Sequence, residues 1–186
     1  MLKIIKGKYK NIVLFRVPSK KTRSTSHLVR KALFDTIGSL HNMKVLDLFA
    51  GSGACAFEAL SRNADMVYLV DNLFLAYRTM KQNKQKLNLT DQNVKIFYCD
   101  AFKILKKFIE EKLIFDLVIL DPPYKENVCI SLFPYLDMLT LSGSLVVYEA
   151  FYKKLLPSFV NSFFLFKNQK YGNKRLYFYQ KKFFSF

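Results

Sequence analysis

A carboxylate, two prolines and an aromatic ring follow one another at Asp121-Pro122-Pro123-Tyr124. The preceding run, 115–120, is apolar apart from one acid, which is typical of a buried strand. The carboxylate then stands at a strand end, and the prolines keep the next backbone extended and withhold their N–H donors. A carboxylate and a free carbonyl accept both N–H bonds of a planar amine while the ring stacks on its base. The tetrapeptide predicts a site for an amino-bearing nucleobase; a simple strand-terminating turn is the alternative.

A glycine-rich loop follows an earlier predicted strand, 44–48. Gly51, Gly53 and Ala56 fit the G-x-G-x-x-A fingerprint of dinucleotide-binding sheets, and Asp71 stands where a ribose-binding acid would be expected. The carboxylate of Asp47 ends the first strand, however, and it would repel a pyrophosphate at the next helix N-terminus. S-adenosylmethionine carries a sulfonium and an ammonium and has no phosphate. We therefore expect this loop to bind S-adenosylmethionine.

Two further acids end predicted strands. Asp71 is placed to accept hydrogen bonds from both ribose hydroxyls, and Asp100, which follows 95–99, is placed to accept one from the adenine amine. Each acid also precedes a predicted helix, so helix capping is an alternative role, and one carboxylate can serve in both.

Strands and helices alternate through most of the chain. We predict strands over 44–48, 66–70, 94–98, 115–120 and 144–148, and helices over 54–62, 72–89, 101–112 and 128–138. This order predicts an α/β fold with a doubly wound, mostly parallel, Rossmann-like sheet. Sheets of this kind bind ligands at the carboxyl ends of their strands, where the acids stand.

The two ends of the chain are expected to differ from this repeat. Residues 2–17 predict a small β-hairpin, and Thr25 or Ser26 is placed to cap a helix that ends at Gly38. Near the C-terminus, strands over 162–167 and 176–181 joined at 171–173 predict an antiparallel hairpin.

Lysine and arginine outnumber the acids by 30 to 14, a net charge of 30 − 14 = +16. Such a balance favours a polyanionic partner, most simply nucleic acid. A chain of 186 residues suits one domain. Three isolated cysteines, no signal-like apolar run and no span of about 18 apolar residues predict a cytoplasmic protein without a metal site.

Nearly the whole chain resembles the RsmD-type methyltransferases, which methylate the exocyclic N2 of a guanine in small-subunit (16S) ribosomal RNA. The motifs that carry the resemblance, in chain order, are Lys6-Gly7-Lys8-Tyr9, Arg23-Ser24-Thr25, Val29-Arg30-Lys31-Ala32-Leu33-Phe34, Asp47-Leu48-Phe49-Ala50-Gly51-Ser52-Gly53, Glu58-Ala59-Leu60-Ser61-Arg62, Asp121 to Tyr124, and Tyr171-Gly172. The chain departs from the family at Ser24, His27 and Lys31, all in the expected RNA-contacting segment.

The resemblance implies one S-adenosylmethionine-dependent domain over 1–186, with an RNA-contacting extension over 1–40 and a core over 41–181. It implies a role for each residue of the expected site. Cofactor binding falls to Asp47, Phe49, Ala50, Gly51, Gly53, Asp71, Asp100 and Ala101, catalysis to Asp121, Pro122, Pro123 and Tyr124, and RNA binding to Lys20, Lys21, Arg23, Thr25 and Arg30. The implied partner is ribosomal RNA, naked or within an assembling or assembled small subunit.

Other functions fit the same residues. The tetrapeptide serves any planar amine or amide, so methylation of adenine N6 or of a glutamine side chain is an alternative. An RNA-binding assembly factor that has lost catalysis is a second, and a nicotinamide-dependent dehydrogenase is a third.

Overall fold

The computed structural model describes residues 1–18, 26–122 and 128–182, without the side chains of Val128 and Cys129. The helices are α1 (His27–Ile37), α2 (Ala54–Ser61), α3 (Phe74–Lys86), α4 (Ala101–Glu110) and α5 (Val128–Met138). The strands are β1 (Lys44–Leu48), β2 (Met66–Asp71), β3 (Val94–Tyr98), β4 (Phe115–Leu120), β5 (Thr140–Phe151), β6 (Phe159–Val160), β7 (Phe163–Tyr171) and β8 (Lys174–Lys181).

The described strands form one eight-stranded sheet in the order β3-β2-β1-β4-β5-β8-β7-β6. Pairing is parallel from β3 to β5 and antiparallel from β5 to β6. This confirms the predicted α/β sheet and its antiparallel C-terminal edge. The strand order reverses direction between β1 and β4, the place where doubly wound sheets open a ligand crevice.

Helices cover both faces of the sheet. The N-terminal residues and α1, α2 and α3 pack on one face, and α4 and α5 pack on the other. Because side chains alternate along a strand, Val45 joins the first core and Leu46 and Leu48 join the second. Both faces of the central strands are therefore buried, which explains their nearly continuous apolar sequences.

Several predicted boundaries shift. The strand predicted over 144–148 extends to Thr140–Phe151, and the C-terminal hairpin is longer than predicted and is joined by β6. Pairing explains the extension, since β8 bonds to β5 as far as Phe151. At the N-terminus the predicted hairpin is reduced to one antiparallel bridge, between Lys3 and Val13. Within 1–18, 26–122 and 128–182, no helix has the length and apolar character needed to cross a lipid bilayer.

The N-terminal segment is held against the end of α2. The Glu58 carboxylate, fully buried, accepts from the backbone N–H of Ile5 at 2.7 Å and of Lys6 at 3.1 Å. The Ser61 hydroxyl donates to the Lys6 carbonyl at 2.5 Å and accepts from the Tyr9 N–H at 2.9 Å. These bonds join the sequence motif at residues 6–9 to the motif at residues 58–62 in one structural contact.

Gly7 allows this contact because a side chain there has no space. Its φ is +88°, and an added Cβ would lie 1.5 Å from the Ser61 carbonyl oxygen. We expect Gly7→Ala to lower the free energy of unfolding by about 2–4 kcal/mol, through left-handed strain and displacement of this backbone. Urea denaturation measures the change.

Gly172→Ala is the matched control. Gly172 also has positive φ, +60°, but nothing lies within 4 Å of an added Cβ. Only the strain remains, about 1–2 kcal/mol. Equal losses in the two variants would contradict the tight contact at Gly7.

Candidate active site

Three acids converge at the carboxyl edge of the central strands. In the register of the sheet, Asp47 pairs with Leu69 of β2 and with Ile119 of β4. Asp71 and Asp121 each follow those residues by two positions, so they lie on the same face as Asp47, on the strands to either side and about 7 Å nearer the rim. The sheet therefore groups the three acids as the sequence predicts.

Asp47 is the deepest of the three. It is 3% exposed, and its Oδ2 accepts from the backbone N–H of Ala56 at 3.2 Å. Burial is the main cause that raises the pKa of Asp47 to about 8; the Ala56 N–H opposes the rise, and the nearby charges of Asp121 and Asp71 add to it. The group is a buried carboxyl that lies among other carboxyls, and a cation would stabilise its ionised form.

The bond to Ala56 also bears on the kind of cofactor. A dinucleotide pyrophosphate binds to the free N–H groups in the first turn of the helix after the glycine loop. In this chain Asp47 accepts one of those N–H bonds and brings a carboxylate to that turn. The first turn of α2 is therefore a poor site for a phosphate.

The glycine loop has a left-handed backbone at three positions. Phe49, Gly51 and Gly53 have φ of +68°, +55° and +78°. The Phe49 conformation is unusual for a residue with a side chain and marks local strain of the kind found at binding sites. Phe49 and Ala50 are both partly exposed at this loop.

Asp71 fixes the loop to the next strand. Its Oδ2 accepts from the Gly51 N–H at 2.8 Å, and its Oδ1 accepts from the Leu73 N–H at 2.9 Å. Burial raises the pKa of Asp71, and the N–H bonds from Leu73 and Gly51 oppose the rise. Because each carboxylate oxygen has further lone pairs, the side chain is able to accept bonds from a ligand as well.

Asp100 caps α4. Its Oδ1 accepts from the backbone N–H of Phe102 at 2.9 Å and of Lys103 at 3.1 Å, and the side chain is exposed. The capping alternative is thereby confirmed, and adenine binding by the same carboxylate stays a prediction. Ala101, the first residue of α4, is buried beside it.

The tetrapeptide is described in part. Asp121 is half-buried and Pro122 is buried, while Pro123 and Tyr124 lie outside the described residues. Among the RNA-binding candidates, Lys20, Lys21, Arg23 and Thr25 also lie outside them.

Arg30 contradicts its predicted role. The side chain is 1% exposed, its guanidinium donates to the Lys3 carbonyl at 2.5 Å, and its Nε lies 3.7 Å from Glu58. α1 packs this face on the core, so Arg30 connects the N-terminal segment to α1 and α2. A phosphate cannot reach the guanidinium, and the prediction that Arg30 contacts RNA is wrong.

Asn83 is a residue that sequence reasoning missed. It lies fully buried on α3, where its amide donates to the Ser52 carbonyl of the glycine loop at 2.9 Å. The amide oxygen of Asn83 also accepts from the Phe15 N–H at 2.7 Å, and its amide nitrogen donates to the Phe15 carbonyl at 3.1 Å. Asn83 thus links the glycine loop to the segment that leads into the predicted RNA-contacting residues. A polar residue in a helix carries no sequence signal for such contacts.

An aromatic group at the same rim was also missed. The rings of Phe74 and Tyr98 are exposed and lie 5.7 Å apart, with Tyr77 6.0 Å from Tyr98. Tyr98 pairs with Asp71 across β2 and β3, which places these rings next to the predicted ribose site. In the described part of the chain, no three His, Cys, Asp or Glu residues form a group that could hold a metal ion.

Comparison with known proteins gives one relative that matches nearly the whole chain and another that matches about two thirds of it. The chain is 32% identical over 185 residues to the Bacillus subtilis protein named "Putative rRNA methyltransferase YlbH", covering 97% of this chain and 100% of that one. It is 31% identical over 128 residues to "Ribosomal RNA small subunit methyltransferase D" of Haemophilus influenzae, covering 68% and 66% of the two chains.

A solved structure agrees in fold. The hypothetical protein TTHA0928 of Thermus thermophilus superposes with a TM-score of 0.81 at 26% identity, covering 96% of this chain and 98% of that one. The family described as "Conserved hypothetical protein 95" matches residues 2–180. Together with the names of the two relatives, this match confirms the resemblance inferred from the motifs, and the chain belongs to this family.

Proposed function

We propose that this protein transfers a methyl group from S-adenosylmethionine to the exocyclic N2 amine of a guanine in 16S ribosomal RNA, in the cytoplasm. The observation that carries the assignment is the convergence of Asp47, Asp71 and Asp121 at the opening of a doubly wound sheet. Membership of the family and the names of the relatives support a ribosomal RNA substrate. The position of the methyl group on guanine rests on the tetrapeptide and on the sequence resemblance.

The residues present fit the cofactor. A buried carboxyl with a pKa of about 8 among two other acids favours a ligand that brings positive charge. Asp47, Gly51 and Gly53 would hold the methionine part, with Phe49 and Ala50 in the same loop. When bound, S-adenosylmethionine supplies a methyl group on a sulfonium, which leaves as a neutral thioether when the carbon–sulfur bond breaks and the carbon–nitrogen bond forms.

The nucleoside part of the cofactor would lie along the same edge. Asp71, which already orients the glycine loop through Gly51, would accept from the ribose hydroxyls. The Oδ2 of Asp100 would accept from the adenine amine while Oδ1 caps α4, with the backbone of Ala101 beside it.

Asp121 would orient the target amine. The lone pair of a guanine amine is delocalised into the ring, so the nitrogen must be held with its hydrogens directed away from the methyl donor. The Asp121 carboxylate and the Pro122 carbonyl would accept hydrogen bonds from the two N–H groups and stabilise the positive charge that develops on nitrogen. The methylated nitrogen then becomes neutral by releasing one of its two protons. Pro123 would keep the backbone extended, and Tyr124 would stack on a base turned out of its helix. Lys20, Lys21, Arg23 and Thr25 would contact phosphates.

Nucleoside mass spectrometry of 16S ribosomal RNA tests the assignment. RNA from cells that lack the gene should lose N2-methylguanosine at one position, and the purified protein with S-adenosylmethionine should restore it. If the cells instead lost N6-methyladenosine, or methylglutamine in a protein, the target would be adenine or glutamine and not guanine. RNA binding without any methyl transfer would favour the assembly factor.

The two glycines of the loop should separate stability from cofactor binding. A Cβ at Gly53 would lie 2.6 Å from both Leu69 and Phe57, whereas a Cβ at Gly51 meets nothing within 4 Å. We expect Gly53→Ala to lower the free energy of unfolding by about 2–4 kcal/mol and Gly51→Ala by about 1–2 kcal/mol.

Cofactor affinity should follow a different order. The space beside Gly51 is where the cofactor would approach the backbone, so Gly51→Ala should weaken S-adenosylmethionine binding about tenfold or more in calorimetry. Normal affinity in the folded Gly51→Ala protein would remove Gly51 from the cofactor site.

A further inference from the structure

We infer that a second RNA-contacting surface lies at the end of β5 and on the outer half of the β7–β8 hairpin, where it binds phosphates of the RNA that flanks the target base. This surface, the hairpin surface, comprises residues 151–154 and 166–175. The inference deepens the function proposed above and rests on it, because it assigns the substrate RNA to a second part of the protein.

The charge of the chain is divided unevenly. All 14 acidic residues precede position 150, while eight basic residues follow it. These eight are Lys153, Lys154, Lys167, Lys170, Lys174, Arg175, Lys181 and Lys182. The C-terminal antiparallel strands therefore carry positive charge alone, as a surface that binds a polyanion requires.

The hairpin surface lies at the same edge of the sheet as the candidate active site. Leu120 pairs with Tyr148, so the next positions along β4 and β5 bring Asp121 beside Glu149. Residue 152 is three positions beyond Glu149, about 10 Å farther along the chain. The turn of the hairpin meets this segment, since Phe151 pairs with Lys174 and the Tyr152 N–H donates to the Asn173 carbonyl at 3.1 Å. A few nucleotides on one side of a flipped base span this distance.

Two exposed lysines share one aromatic ring in this surface. The Nζ of Lys170 lies 4.3 Å from the centre of the Tyr152 ring, and the Nζ of Lys153 lies 5.8 Å from it. Phe151 packs on the same tyrosine, with ring centres 4.8 Å apart. The ring keeps two ammonium groups close together through cation–π attraction, and it is itself a base-stacking partner of the kind that RNA-binding surfaces use.

The neighbouring acids have other partners. Glu149 forms a buried ion pair with Lys174, and Asp35, which lies near Tyr171, forms ion pairs with Lys31 and Arg62. Among the ion pairs of the described residues, none involves Lys153 or Lys170. Their positive charge is therefore available to a ligand.

The outer half of β7 is also accessible from its edge. β6 pairs with β7 only at Phe163 and Phe164, and residues 166–170 are exposed. An exposed strand edge with lysines resists pairing with other strands. The ammonium of Lys167 donates to the Thr36 hydroxyl at 3.0 Å, and the ammonium of Lys170 remains available to a phosphate.

Binding of unmodified 16S ribosomal RNA transcript by the full-length protein, measured at several salt concentrations, tests the surface. The variant is Lys153→Gln with Lys170→Gln. Each lost phosphate contact should reduce the slope of log affinity against log salt by about 0.7, so two contacts reduce it by about 1.4 and weaken binding about twentyfold at about 0.1 M salt. S-adenosylmethionine binding, measured by calorimetry without RNA, should be unchanged.

The matched control is Lys106→Gln with Lys112→Gln. Both lysines are exposed, on α4 or just after it, and α4 packs on the face of the sheet opposite α1, α2 and α3. The net charge changes by the same amount in the two double variants. RNA affinity and salt slope close to the unmodified protein are expected for this control.

The outcomes separate the surface from the proposed reaction. Equal RNA affinity and salt slope for the two double variants would overturn the surface even if the protein methylates ribosomal RNA. The surface would also be overturned if the hairpin variant kept its RNA affinity and lost only its binding to phosphatidylserine vesicles. A selective loss of RNA affinity in the hairpin variant would support the surface even if no methyl transfer were detected.

Discussion

Replacement of Asp121 by asparagine is expected to slow methyl transfer by about 100- to 1,000-fold while the affinity for S-adenosylmethionine changes little. The expected loss is that of one preorganised polar group acting on charge in the transition state, about 2.7–4 kcal/mol. The asparagine carbonyl still accepts one hydrogen bond from the amine, but it removes the negative charge that stabilises the nitrogen as it becomes positive. Single-turnover methylation and calorimetry of cofactor binding measure the two quantities separately.

Asp65→Asn is the matched control, because Asp65 is exposed just before β2, at the opposite end of that strand from Asp71. It should leave both quantities unchanged. If Asp121→Asn weakened cofactor binding as much as it slowed transfer, Asp121 would be part of the cofactor site and not the residue that orients the base.

Asp121→Asn should also change the pKa of Asp47. The charge of Asp121 contributes to the raised pKa of Asp47, so its removal lowers that pKa. A lower pKa favours the ionised carboxylate that a cationic cofactor requires. This effect opposes a loss of affinity, and it makes an intact cofactor site with slow transfer the expected combination.

The central sheet was predictable because each of its signals is local. β1, β3 and β4 have the predicted bounds, since buried parallel strands are short apolar runs that end at a turn or an acid. The grouping of Asp47, Asp71 and Asp121 followed from the rule that parallel strands present their carboxyl ends at one edge. Neither step required contacts between residues distant in sequence.

Arg30 and Asn83 show what the sequence could not supply. The resemblance implied that Arg30 contacts RNA, but its partner Glu58 is 28 residues away (58 − 30). Asn83 bonds to Phe15, 68 residues earlier. Such pairings depend on which helix face meets which loop, and a helix pattern rich in lysine, glutamine and asparagine does not specify that face.

The C-terminal edge was predicted as structure and missed as a surface. Its two strands and reversing turn were expected, although the strands are longer than predicted, but the net charge was assigned to the chain as a whole. The register of β4, β5 and β8 brings the C-terminal part of the chain, in which every charged residue is basic, to the rim where Asp121 lies. Charge that is spread along the sequence thus becomes local in the fold.

Asp47→Asn is expected to make the protein more stable above neutral pH and less able to bind its cofactor. The folded pKa of Asp47 is about 8, and an unfolded aspartate has a pKa of about 3.9. Folding therefore retains a proton that the unfolded chain loses, so the stability associated with this group is fully present below about pH 4 and declines as pH rises toward 8. Asparagine does not titrate and avoids this decline.

The difference between the two proteins isolates Asp47, because the other titrating groups contribute to both. Each pH unit between the two pKa values is worth about 1.4 kcal/mol, so the stability of the variant relative to the original should increase by at most about 4 kcal/mol from pH 5 to pH 8. Urea denaturation at the two pH values measures it. A difference that does not change with pH would contradict the raised pKa.

The affinity for the cofactor should increase with pH, whereas the stability associated with Asp47 decreases. If the cation binds the ionised carboxylate, binding below pH 8 must release a proton from Asp47, so the affinity of the original protein should increase with pH until about pH 8. The Asp47→Asn protein should bind S-adenosylmethionine more weakly and lose this part of the pH dependence. Calorimetry in buffers of different ionisation enthalpy detects the released proton directly. A protein that gains stability and loses affinity through one substitution would identify Asp47 as a carboxyl retained for its ligand at a cost to the fold.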